Sequence, residues 1–165
     1  MPIFGLNNGL VPIVSFNYGA RHRERMERAV RLAYITAEVI MIIGLAIFQL
    51  VPDKLLFLFG GSADMLSIGV PALRIISTSF LFAGIAIVSS SVCQALGRGM
   101  YSLAVSFGRQ IVVLVPAAFL LSRLGQLNLV WLAFPISELV SLVLSAIFLR
   151  RTMRAVAERI GSRAA

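Results

Sequence analysis

Residues 21–51 read RHRERMERAVRLAYITAEVIMIIGLAIFQLV. Five arginines crowd the first eleven positions. From Ala29 to Val51 only Arg31 and Glu38 are charged. A helix needs about 20 predominantly apolar residues to cross a hydrocarbon core about 30 Å thick. This run meets that length, and a cluster of arginines at one end of such a run marks the cytoplasmic side. The stretch therefore reads as a membrane span with its basic end inside.

The rest of the chain repeats the pattern. Of 165 residues, 59% are apolar and 13% charged, with a mean hydropathy of +0.93. Soluble domains hold about 45–50% apolar and about 25% charged residues. Roughly 97 apolar residues suit about five spans of about 20 residues each. This composition excludes a soluble globular enzyme, a disordered tail and a coiled coil. One cysteine, Cys93, excludes an internal disulfide framework, and one histidine, His22, excludes a His-rich metal site. The fold expected is all-α, a multi-pass transmembrane helix bundle.

Five apolar segments are expected, at about 1–20, 29–51, 68–96, 100–122 and 129–149. Together they form one bundle over 1–149, followed by a basic cytoplasmic tail over 150–165. The third segment is long for a single span, so tilt or a kink is expected there. Counting charge fixes the orientation. With the 21–31 connection inside, the inner ends hold eleven basic residues, Arg98 and the tail arginines up to Arg163 among them. The outer connections hold Lys54 and Arg123 only. Such a bias places the C-terminus in the cytoplasm and the N-terminus of this chain outside; the membrane expected is the plasma (inner) membrane. It also accounts for the net charge of +8 without nucleic acid. The first segment has no charged leader and carries Asn7 and Asn8, so it reads neither as a signal peptide nor as a natural first span. The chain reads as though it starts within something larger.

Four segments contain proline: Pro12, Pro71, Pro116 and Pro135. Pro71 falls in the first turns after Ser62 and Asp64, a helix start, and the other three are expected deeper in their spans, where proline kinks a helix. Gly5 with Gly9, and Ser141 with Ser145, have the four-residue spacing of close helix contacts. Asn8, Pro12, Ser15 and Gly19 share one helix face, as do Ser90 and Gln94. A polar face in a membrane helix turns toward partner helices or a wet cavity.

Glu38, Arg74, Arg109 and Glu138 lie within the spans. Each costs roughly 2.5–3.5 kcal/mol at mid-membrane and needs a partner or water. At about 1.5 Å per residue, Glu38 and Arg109 lie roughly 13 Å and Glu138 roughly 16 Å from their inner ends. An Arg109–Glu138 ion pair is therefore open to the fourth and fifth spans. Such a pair reads either as a clamp between helices or as a titrating or substrate-contacting group in a cavity. Arg74 is near its outer end and can snorkel to the interface. The sequence has no phosphate-binding loop, nucleophile elbow, zinc-protease helix or paired-cysteine motif. No catalytic residue and no bound metal are expected, and the protein is not read as an enzyme.

Several ordered pieces carry a resemblance. Gly5-Leu-Asn-Asn-Gly-Leu-Val-Pro-Ile-Val-Ser-Phe-Asn-Tyr-Gly-Ala20 is followed by a basic loop. Leu58-Phe59-Gly60 precedes Leu73-Arg74, and Gln94-Ala95-Leu96-Gly97 ends the third span. Arg109-Gln110 precedes Pro116, and Val130-Trp131-Leu132-Ala133-Phe134-Pro135-Ile136-Ser137-Glu138 opens the last span. This set resembles the C-terminal lobe, helices eight to twelve of twelve, of the MATE (multidrug and toxic compound extrusion) transporters. The resemblance implies a secondary active exporter that exchanges organic cations or amphiphilic drugs for Na⁺ or H⁺, with no cofactor beyond the coupling ion. It implies a partner as well, an N-terminal lobe in cis or another chain. Asn8, Pro12 and Asn17 match the eighth-helix pattern and are expected along the substrate or ion pathway, with Gln94, Arg109 and Glu138. The acidic residues that many members carry on helices seven and ten have no counterpart here: the resemblance starts at helix eight, and the helix-ten equivalent, about Ile68 to Leu96, holds no carboxylate. Two alternatives stand beside this reading: a lipid-linked saccharide flippase of the same superfamily, and a non-transporting membrane interaction protein.

Overall fold

A computed structural model describes residues 2–161, with side chains to Ala157. Met1, Arg163 and the side chain of Arg159 lie outside the described residues. The chain is a bundle of helices: α1 (Pro2–Gly19), α2 (Arg23–Leu50), α3 (Pro52–Leu58), α4 (Ala63–Ser77), α5 (Phe80–Ala95), α6 (Gly99–Phe107), a π-helical segment (Gly108–Leu114), α7 (Val115–Ser122), α8 (Leu127–Val130) and α9 (Ala133–Gly161).

Among the described residues, three helical stretches are long and apolar enough to cross a membrane, and a fourth is added if α4 and α5 count as one bent span. The first segment falls short on hydropathy, because α1 carries Asn7, Asn8 and Asn17 among its eighteen residues. It nonetheless packs against α2 and α5 as part of the bundle. The apolar runs turn large side chains outward: Phe16, Leu32, Ile43, Leu103 and Phe119 are all exposed, as lipid-facing residues are.

At the centre is α5, which contacts α1, α2, α6 and α9. Its buried residues are nearly all small: Ala83, Gly84, Ala86, Ser89, Ser91, Cys93 and Ala95. Lipid offers no hydrophobic drive for helices to associate, so close backbone approach and interhelical hydrogen bonds hold such bundles. The Ser15 hydroxyl donates to the Ala95 carbonyl at 2.9 Å, tying α1 to α5. Ser89 donates to Ile85 at 2.7 Å, which leaves Tyr34 of α2 to donate to Ser89, also at 2.7 Å.

The long third segment is indeed broken. α4 and α5 meet at 50°, and the break falls at Thr78–Ser79, not at Pro71, which α4 accommodates. Thr78 and Ser79 each turn a hydroxyl back onto the carbonyl three residues earlier, both at 2.6 Å. Such local bonds compete with the helical ladder and bend it. Ser62 caps α4 by accepting from the Met65 amide at 3.3 Å, as its position implied. The next turn is closed by Gly97, whose φ of 78° only glycine adopts at no cost. It completes a C-cap in which the Arg98 amide donates to Cys93 and the Gly97 amide to Gln94.

Three features depart from expectation. The 52–66 connection contains a helix, α3, begun by Pro52 at a first-turn position, where the missing N–H is no loss. Pro135 is not deep in its span but in the first turn of α9, after a break at Trp131–Leu132. The helix of the fifth segment, α9, continues through residue 150 to Gly161, so the start of the basic tail is helical.

Candidate polar cleft

A cleft of about 310 Å³ opens between α1, α5, α6 and α9. Its apolar lining is Phe4, Val11, Ala86, Ile87 and Val105, and its polar lining includes Asn7, Asn8, Ser90, Gln94 and Arg109. The polar residues reach one space by helical register. Asn8 with Val11, and Ile87 with Ser90, Ser91 and Gln94, recur every three or four residues, which stacks them on one face. The Ser90 and Ser102 hydroxyls lie 2.7 Å apart and bridge α5 to α6 inside it.

Arg109 stands in the π-helical segment that follows α6. Such segments are rare and concentrate at functional sites. Its Nη1 donates to Glu138 Oε1 of α9 at 2.5 Å. The side chains are 30% and 12% exposed, so the pair is largely withdrawn from the surface. Glu138 Oε2 is buried with no hydrogen-bond partner, as is Asn7 Oδ1. Buried acceptors without donors are rare in native structures and call for an explanation. Here two of them occur at the cleft and beside it.

Of the six residues expected along a pathway, Asn8, Gln94 and Arg109 border the cleft, and Glu138 is joined to it through Arg109. Pro12 and Asn17 do not border it: Pro12 is exposed, and the Asn17 amide donates to Ile13 of its own helix at 2.8 Å. Asn7, Ser102 and Ser106 were not expected there, yet all three line it. The adjacent asparagines gave a signal, since residues 7 and 8 point about a quarter-turn apart and could both flank one cleft. Glu38 lies elsewhere, on α2 against α5. Its Oε1 is buried without a partner, and a Cβ added at Gly84 would lie 2.5 Å from it.

Known proteins share both the sequence and the helix arrangement. The MatE family model matches residues 1–120. Multidrug export protein MepA of Staphylococcus saprophyticus is 27% identical over 130 residues, which is 78% of this chain and 28% of that protein. MepA of Staphylococcus haemolyticus is 25% identical over the same share of each. Among solved structures, the MATE multidrug transporter DinF-BH superposes with a TM-score of 0.83 at 33% identity. That match covers 92% of this chain and 34% of DinF-BH. The chain thus spans about a third or less of the length of these proteins.

Proposed function

The chain belongs to the MatE family, and from that premise we propose that it is part of a multidrug exporter. The portion is the C-terminal lobe from the eighth helix onward. The exporter exchanges organic cations or amphiphilic drugs for Na⁺ or H⁺. The missing half of the pathway comes from an N-terminal lobe in cis or from a partner chain. The basic stretch 21–31, mostly the start of α2, and the tail after Leu149 face the cytoplasmic side of the plasma membrane, as the arginine distribution supports.

One observation carries this reading: a polar cleft bounded by an intramembrane ion pair, in a bundle otherwise faced with apolar side chains. An amphiphilic cation needs apolar contact for its body and acceptors for its charge. Phe4, Val11 and Ile87 offer the first, and the Asn7 carbonyl offers the second. Glu138 has one oxygen uncommitted beside the cleft, suited to a coupling cation or a proton. Arg109 holds the other oxygen and fixes the carboxylate's place. Export needs a route that is alternately open to each side, and the 50° break between α4 and α5 stands at the start of the helix that forms one wall of the cleft.

The saccharide flippase is the weaker reading. A polyanionic carrier calls for free basic residues along the path. Beyond the basic inner ends, only Arg74 and Arg109 are basic within the spans. Arg109 is already paired with Glu138, and Arg74 is exposed away from the cleft.

The test is efflux of a fluorescent organic cation from cells expressing the full open reading frame that contains this chain. Expected is efflux that stops when the Na⁺ and proton gradients are collapsed and that is lost in Glu138→Gln. Retention of dye equal to that of cells carrying an empty vector would reject the proposal.

A further inference from the structure

On another face of α1, away from the cleft, an apolar groove of about 430 Å³ runs along the seam with α2. Leu6, Leu10 and Ile13 form one side, and Ala29, Leu32 and Ala33 the other. The groove is kept open at Gly5 and Gly9, where an added Cβ would meet nothing within 4 Å. At Leu32 it adjoins a second recess of about 380 Å³, bordered by Glu24, Glu27, Arg28 and Arg31 as well as Leu32. One furrow thus has an apolar length and a basic end.

Its dimensions and charge select an occupant. Gly5 to Ile13 spans roughly 12 Å of helix at about 1.5 Å per residue. One leaflet is about 15 Å deep, half of a hydrocarbon core of about 30 Å. The groove therefore matches an acyl chain of a single leaflet. At the basic end, Glu27 is engaged by Arg23 at 2.7 Å. Among the described residues, no carboxylate comes within ion-pair distance of Arg28 or Arg31, and both are exposed. With Glu27 paired, Glu24 and the two arginines leave the recess a net charge of +1, carried on the first turns of α2. Guanidinium groups bind phosphate oxygens through paired, charge-assisted hydrogen bonds, and basic recesses between membrane helices hold anionic headgroups.

We infer that this furrow binds an anionic phospholipid, with one acyl chain along the α1–α2 groove and the phosphate on Arg28 and Arg31. A protein helix would also cover the apolar walls but has no use for two unmatched guanidinium groups. The lipid answers both features at once. The site is independent of the cleft and does not require that the protein transport anything.

The experiment uses the product of the full reading frame in bilayers doped with spin-labelled phosphatidylglycerol or phosphatidylcholine of identical chains. The motionally restricted fraction of each is read by electron paramagnetic resonance. Expected is a preference for phosphatidylglycerol that falls roughly five-fold for each of Arg28→Gln and Arg31→Gln, the factor for one surface arginine against an anionic headgroup. Gly9→Leu builds a side chain into open space, fills the groove and removes the restricted component. Arg150→Gln, at the far end of the chain, leaves the preference unchanged. Equal restriction of the two lipids would overturn the inference, and so would a preference that survives both arginine substitutions. Gly9→Leu with no effect on the restricted component would overturn it too, since it would mean that protein fills the groove.

Discussion

Arg109 and Glu138 depend on each other. Glu138 is 12% exposed, and removing one member of a buried pair strands the other's charge. Arg109→Gln or Glu138→Gln alone is therefore expected to lower stability by about 3 kcal/mol, the low end for a buried pair because Arg109 keeps some exposure. The double substitution costs less than either single change. A double-mutant cycle of thermal unfolding on the purified protein reads this, and strictly additive losses would show that the two groups are uncoupled. Glu38 is the opposite case, since its buried Oε1 has no partner. Glu38→Met is expected to stabilise the protein by about 1–2 kcal/mol, the desolvation penalty of an unmatched group, as an increase in the same melting curve. The ion pair was legible in the sequence, because two opposite charges at nearly one depth on consecutive spans have few other partners. Asn7 was harder to read than Asn8: hydropathy gives the two asparagines the same value. Only packing decides that Asn7 is the buried one.

Among elements, the third span was legible in length but not in geometry. A run from Ile68 to Leu96 is too long to cross upright, and proline was the visible candidate for a bend. The bend instead comes from consecutive hydroxyl residues, whose effect on a helix depends on whether they bond back to their own backbone or out to a neighbour. Thr78 and Ser79 bond back. Replacing both with alanine is expected to reduce the 50° angle. Spin labels at Ser67 of α4 and Gln94 of α5 would then report a longer distance, and an unchanged distance would place the origin of the bend elsewhere. The π-helical segment around Arg109 was not legible at all, because i→i+5 bonding leaves no compositional signature in seven residues. The α3 helix was missed for a related reason: seven residues are too few for hydrophobic periodicity to stand out, although Pro52 followed by Asp53 was a start signal.

At the scale of the molecule, composition alone gave the bundle's class, while its place within the proposed exporter rests on the ordered motifs. The chain covers 34% of DinF-BH, and a cleft of about 310 Å³ is near the lower limit for a drug-sized ligand site. Residues 1–165 expressed alone are therefore expected to give no gradient-driven efflux, whereas the full reading frame does. Export by these residues alone would show that no second lobe is needed. The central claim is that the cleft at Gln94 belongs to the drug path. Its most direct test is Gln94→Cys in the full reading frame, with the buried Cys93 replaced by alanine, treated with a membrane-impermeant maleimide. The new thiol at position 94 is expected to be labelled, and an exported organic cation to slow that labelling in proportion to its occupancy. Absence of labelling, or labelling at one rate whatever cation is present, would contradict the claim.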